Sequence, residues 1–258
     1  MLIFQTAQAA VDRVVLQIVD QLSAKPGSVL GLATGGTMEP VYESLVAAYA
    51  AGSVSFAQAT TFNLDEYVGL GPNHPCSFSA FMNDRLFGRV DADRARTHLP
   101  KGDAADPDAE AARYDALIGR LGPIDLQLLG IGANGHIGFN EPTSSLRSRT
   151  RVKTLTSVTR EANKRFFADG EATPKYAITV GIENIMECAT VMLLATGQGK
   201  AQAVADTIEG PLGAFCPATA LQMHPDTTIV LDREAAGALK FTDYYSQVHP
   251  DGQDAPYG

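Results

Sequence analysis

The feature that most restricts the fold of this chain is an alternation. Short, almost wholly apolar runs recur between amphipathic segments, and several of them end in glycine or polar residues. "SVLGLA", "QATTFNL", "DLQLLGI", "AITVG", "TVMLLA" and "TTIVL" read as strands buried on both faces. Between them Val11, Val14, Val15, Ile18 and Leu22 recur at helical spacing over 8–23, and Val41, Tyr42, Leu45, Val46 and Tyr49 do so after Met38. Further helices are expected after Ser77, over 107–120 and from Lys200. Strands without a polar face need cover on both sides. The pattern therefore predicts an α/β protein: a single-domain, open, mostly parallel sheet with helices on both faces, Rossmann-like in its layering. The α/β unit is assigned to residues 1–246. The closing "HPDGQDAPYG" has no apolar periodicity, so 247–258 reads as a flexible C-terminal tail.

Composition narrows the partners. A chain of 258 residues, 45% of them apolar, can bury one substantial core. Its formal charge of -9 and pI near 5.0 argue against nucleic acid, which draws on a clustered surplus of Lys and Arg. A few local cations still suffice for a small anion. Cys76, Cys188 and Cys216 are far apart and form no CxxC pair, so neither a disulfide framework nor a structural zinc site is indicated, and a cytoplasmic setting fits. Asp12 and Arg13 interrupt the apolar N-terminus, which argues against a signal peptide. No run reaches the roughly 18 to 20 apolar residues of a membrane span. No metal-ligand spacing, P-loop or GxGxxG motif is present, so no metal and no cofactor are expected.

In open α/β sheets ligands collect beyond the carboxyl ends of the strands, and four such places carry polar chemistry. Thr34-Gly35-Gly36-Thr37 follows "SVLGLA" and opens a helix, an arrangement that offers backbone N–H groups to a phosphate; a tight βα turn needing glycine explains it equally well. Leu64-Asp65-Glu66-Tyr67 sets two carboxylates side by side. Their side chains diverge in an extended chain, so Asp65 can face a cleft as a general base while Glu66 supports structure; a solvated cap is the plainer reading. "GANGHIGFNEP" after "DLQLLGI" puts His136 between Asn134 and Glu141, which can orient an imidazole and tune it for acid–base work near neutral pH. Lys200 opens a helix, where a cation is unfavourable unless an anion offsets it, although a solvated lysine is an ordinary alternative.

Read in order, "LGLATGGT", "TTFNLDEYVGL", "SFSAFMNDRLF", "GIGANGHIGFNEP", "SSLRSRTRVKTLT", "ANKRFF", "PKYAITVGI" and the Lys200 region resemble glucosamine-6-phosphate deaminase over residues 28–232. The resemblance implies an enzyme, a hydrolase acting on an amine, that converts glucosamine 6-phosphate and water to fructose 6-phosphate and ammonium by aldose–ketose isomerisation with deamination. It implies that Asp65 takes the proton from the second sugar carbon and returns it to the first. His136 moves protons during ring opening, and Glu141 holds and polarises it. Gly35, Gly36 and Thr37 form the phosphate cradle, with Arg165 and Lys200 as its cationic clamps. Arg165 falls in a stretch, 155–175, similar to the family's mobile lid. Some family members carry Asp where this chain has Asn134; an amide cannot compensate an imidazolium charge, so orientation falls to Asn134 and pKa tuning to Glu141.

Two rivals share the fold. A 6-phosphogluconolactonase carries a histidine loop like "DGHTASLFPG" rather than "NGHIGFNEP", and a sugar-phosphate sensor would lack catalysis altogether. Regulated, hexameric members of the family bind N-acetylglucosamine 6-phosphate between subunits at positions matching Ser145, Arg151 and Lys153, with a looser match at Tyr244. Arg151 and Lys153 alternate in an expected strand and so share a face. Smaller, unregulated assemblies, down to a monomer, are the alternative.

Overall fold

The structure, a computed structural model, describes residues 1–168 and 170–252. In chain order the elements begin β1 (Leu2–Phe4), α1 (Ala7–Ala24), β2 (Val29–Leu32), α2 (Glu39–Ala50), β3 (Thr60–Asn63), β4 (Asp65–Tyr67), α3 (Phe78–Met82), β5 (Thr97–His98) and α4 (Pro107–Leu121). They continue with β6 (Leu126–Leu129), β7 (Arg151–Thr154), α5 (Ser157–Asn163), β8 (Tyr176–Thr179), α6 (Ile182–Met186), β9 (Thr190–Ala195), α7 (Ala201–Ile208), β10 (Thr227–Asp232) and α8 (Thr242–Val248).

Seven strands form an open parallel sheet in the order β1-β10-β9-β6-β2-β3-β5. Its central strands are buried along their length, "VLGL" of β2 and "LQLL" of β6 included, which is what the unbroken apolar runs required. Helices supply the cover. On α1, Ala10, Val11, Val14, Ile18 and Leu22 turn inward, and the Thr6 hydroxyl caps its first turn by accepting the Ala9 N–H. From β2 the chain winds outward through β3 to β5, then returns to the other side of β2 as β6. The reversal opens a crevice at the carboxyl ends of β2 and β6.

The expectation of one parallel sheet needs a correction at "AITVG". That run forms β8, the centre of a separate three-stranded antiparallel sheet ordered β4-β8-β7. The apolar pattern reports burial, and burial by a second small sheet packed against α4 is as complete as burial in the main one. The second sheet matters for the site because β4 starts at Asp65, with only Leu64 between it and the end of β3, and the Val180 N–H donates to the Leu64 carbonyl at 2.7 Å. Asp65 is thereby held at the seam between the sheets. Of the segment read as a tail, Val248 ends α8 and Pro250–Gly252 make a 3-10 turn, while 253–258 lie outside the described residues.

Candidate active site

Four adjacent strands of the main sheet, β9-β6-β2-β3, send their carboxyl-end loops to one cleft of about 610 Å³. Adjacency in the sheet explains why loops far apart in the chain converge there. The cleft takes Thr34 to Thr37 from the β2 loop, Asp65 from the end of β3, Asn134 and His136 from the β6 loop, and Lys200 from the β9 loop. Arg165 joins them from the segment after α5.

The β2 loop turns through Gly35, whose φ of +100° lies in the left-handed region that favours glycine. A Cβ on Gly35 or Gly36 would meet nothing within 4 Å, so bare backbone faces open cleft just before α2. Opposite it, Lys200 Nζ donates to the Ile131 carbonyl at 2.7 Å. Burial, and secondarily the charge of Arg165, push the Lys200 ammonium below its ordinary pKa. Among the described residues neither Lys200 nor Arg165 has a carboxylate partner. Two cations without a carboxylate partner among the described residues, lining one cleft with a glycine-lined helix N-terminus, have the chemistry to hold an anion.

The adjacent carboxylates of β4 part company, as their alternation requires. Glu66 accepts the N–H groups of Tyr67, Phe78 and Ser79 at 2.9, 3.0 and 2.9 Å, tying β4 to the first turn of α3. Asp65 faces the cleft instead and is only 6% exposed. Burial first, and the neighbouring Glu66 second, push its carboxyl up to about 8 against the opposing Phe139 N–H.

The β6 loop folds His136 back over Gly132, whose missing side chain is what lets the ring lie there. A Cβ on Gly132 would sit 2.2 to 2.4 Å from three imidazole atoms. Gly132→Ala is therefore expected to displace the ring while leaving the sheet intact. A misplacement of about 1 Å can cost on the order of 10²-fold in turnover, which steady-state kinetics beside an unchanged melting curve would register.

Behind the ring, Glu141 is 1% exposed; its Oε1 accepts the Thr156 N–H at 3.0 Å and hydroxyl at 3.2 Å. His136 Nδ1 lies 3.6 Å from Glu141 Oε2, an ion-pair distance too long for a hydrogen bond, and has no hydrogen-bond partner among the described residues. Burial works against ionisation of Glu141, yet His136, Thr159, Thr156 and Asn134 together hold its carboxyl down at about 2. Asn134 uses both ends of its amide: Nδ2 donates to Glu141 Oε2 at 2.9 Å and Oδ1 accepts the His136 N–H at 3.3 Å. A carboxylate in its place would face Glu141 with like charge.

This geometry can be set beside known proteins. The family model described as glucosamine-6-phosphate isomerases/6-phosphogluconolactonase matches residues 4–230. The chain belongs to that family. Within it, glucosamine-6-phosphate deaminase of Shewanella loihica is 53% identical over 236 residues, 92% of this chain and 88% of that protein. The Rhodopirellula baltica deaminase is 55% identical over 232 residues, 90% and 92% of the two chains. A solved monomeric glucosamine-6-phosphate deaminase, 44% identical, superposes with a TM-score of 0.89 over 92% of this chain and all of its own. The 6-phosphogluconolactonase of Trypanosoma brucei shares the fold, at a TM-score of 0.70, with 19% identity over 92% of this chain and 97% of its own. These names carry an isomerase family and a deaminase activity and give no support to the hydrolase class expected from the sequence.

The structure brings Gly35, Gly36, Thr37, Asp65, Asn134, His136, Arg165 and Lys200 to one cleft, with Glu141 directly behind. Other members of the cleft passed unnoticed in the sequence. Tyr67 lines it and its hydroxyl accepts from Asn163 Nδ2 at 2.9 Å, and Thr156 and Thr159 support Glu141. The T-x-x-T spacing of 156–159, a helix cap, is the only sequence signal for that pair. The remaining expected residues lie elsewhere. Arg151 on β7 donates to Asn140 Oδ1 at 2.9 Å, Ser145 is exposed in the preceding loop, and Tyr244 is exposed on α8, which packs against β1.

Proposed function

We propose that the cleft deaminates and isomerises glucosamine 6-phosphate to fructose 6-phosphate and ammonium, and that the residues gathered in it carry the reaction. The observation behind the reading is the pairing of an anion site with a buried acid–base set in one cavity. Phosphate bound between the Gly35-Gly36 backbone, Lys200 and Arg165 would lay the sugar toward Asp65 and His136. The carboxylate behind Nδ1 favours a proton there and leaves Nε2 to exchange one with the ring oxygen during opening. Asp65, as carboxylate, then removes the proton from the second carbon and delivers it to the first, and water releases ammonium from the resulting imine. A carboxyl whose pKa lies near 8 can both take and return a proton near neutrality. Among the described residues no helix is long and apolar enough to cross a membrane, and the three cysteines are free, which suits a reducing cytoplasm. Assay of ammonium and fructose 6-phosphate, with the glucosamine and galactosamine epimers supplied separately, tests the reading. Equal amounts of the two products are expected, and ammonium without the ketose would reject it.

The finer part of the proposal is regulation by N-acetylglucosamine 6-phosphate at Ser145, Arg151, Lys153 and Tyr244. Its support is local. Arg151 and Lys153 stand two apart on β7, and Arg151 Nη2 is buried without a hydrogen-bond partner among the described residues, a donor that a phosphate would satisfy. A coupling of roughly 1 to 3 kcal/mol is expected, read as a leftward shift of the substrate saturation curve when effector is added. Light scattering on the same sample gives the assembly size. A hyperbolic, effector-insensitive curve from a monomer would reject regulation and leave the catalytic reading standing.

A further inference from the structure

Beside the cleft, three ligating side chains from two distant parts of the chain meet. His74 Nε2 lies 3.0 Å from Glu171 Oε1, and its Nδ1 accepts the Cys76 N–H at 3.2 Å. The Cys76 thiol points to the Phe166 carbonyl, 3.0 Å away. One ligand atom from each of His74, Cys76 and Glu171 falls within 4.8 Å of the others. The His74 and Glu171 side chains are 31% and 33% exposed, so an ion can enter from solvent. Because Nδ1 accepts a backbone N–H, the neutral ring carries its proton on Nε2, toward Glu171, and an ion bound there takes that proton's place. The sequence conceals this trio because Glu171 is remote from the other two and no motif spacing joins them.

We propose that His74, Cys76 and Glu171 bind one Zn²⁺-class ion that holds the flap of 163–168 against the cleft and slows turnover. Imidazole nitrogen, thiolate sulfur and carboxylate oxygen are the donor set of this borderline-soft ion, with water left for the fourth tetrahedral position. Mg²⁺ and Ca²⁺ prefer all-oxygen sites and are poorly served by a thiolate. Binding forms Sγ–metal and Nε2–metal bonds, releases the thiol proton to solvent, moves the ring proton from Nε2 to Nδ1 as the Cys76 N–H contact gives way, and displaces water from the ion; no electron changes hands. The trio lies outside the acid–base set and takes no part in the chemistry. It bears on the flap instead, because Arg165 and Phe166 line the cleft and the Phe166 carbonyl sits against Cys76. An ion joining Glu171 to His74 and Cys76 ties that flap to the loop before α3, and product release that needs the flap to move is slowed.

The site stands without the proposed reaction, and only the kinetic effect rests on it. The test uses the full chain stripped of metal by a chelator, then titrated with Zn²⁺ against a chromophoric competitor and separately with Co²⁺. The expected result is a single ion bound with a sulfur-to-cobalt charge-transfer band. Cys76→Ser should abolish the band and weaken Zn²⁺ roughly tenfold or more, with Glu171→Gln weakening it similarly. Metal-free Cys76→Ser should turn over like the metal-free parent, whereas the parent slows several-fold with Zn²⁺ bound and recovers on chelation. A parent without the band, or Cys76→Ser binding as tightly, overturns the site. Tight binding with unchanged turnover overturns the brake. Absence of deamination in every form would count against the proposed reaction alone.

Discussion

Asp65→Asn is expected to lower turnover by about 10²- to 10⁴-fold while the protein folds and holds its substrate. The size follows from the role. Asp65 is the buried carboxyl that faces the cleft, Glu66 beside it is committed to three backbone N–H groups, and Glu141 is held ionised behind His136. Among the described residues no other carboxylate lines the cleft. Binding should survive because the Gly35-Gly36 backbone, Lys200 and Arg165 are untouched. Stability supplies a second readout whose sign is fixed. The folded-state pKa of Asp65 is raised from the ordinary 3.8 to about 8, so its contribution is fully present below pH 3.8 and is lost as the pH rises through 8. The parent should lose melting temperature relative to Asp65→Asn across that window. Its kcat/KM should climb over the same range as the base ionises. Substantial residual turnover in Asp65→Asn, with parallel melting curves, would move the base to another residue.

The second large effect is expected at His136. His136→Ala removes the proton carrier for ring opening and leaves Glu141 facing an empty space, and a general acid–base group is worth about 10²- to 10⁴-fold. The defect should be confined to opening. Spontaneous opening in water would then feed the remaining machinery, so at high enzyme concentration the rate should stop rising with enzyme. A rate that stays proportional to enzyme over the whole range would show that His136 serves a later step.

How much of this was legible beforehand depends on distance along the chain. The β2, β3, β6 and β9 loops could be found because each follows an apolar run, and strand ends are where an α/β sheet gathers its ligands. His136, Asn134 and Glu141 lie within one loop, so their association needed no topology. The second sheet was not legible: β8 carries the same apolar signature as a strand of the main sheet, and pairing direction leaves no mark on a buried strand. Thr156, Thr159 and Tyr67 were missed for the converse reason, since their contacts depend on α5 and β4 being folded against the β6 loop. The divergence of Asp65 from Glu66 was readable from strand alternation, whereas the strong pKa shift on Asp65 required the seam between the two sheets.

The central claim is that one carboxyl moves one proton between neighbouring sugar carbons before the amine leaves. Running the reaction in deuterium oxide and reading the product by proton NMR tests it directly. Fructose 6-phosphate is expected in equal amount to ammonium, with any deuterium at the first carbon confined to one of its two hydrogens, because Asp65 serves a single face of the intermediate. Deuterium on both faces, or ammonium accompanied by an aldose instead of the ketose, would contradict the account.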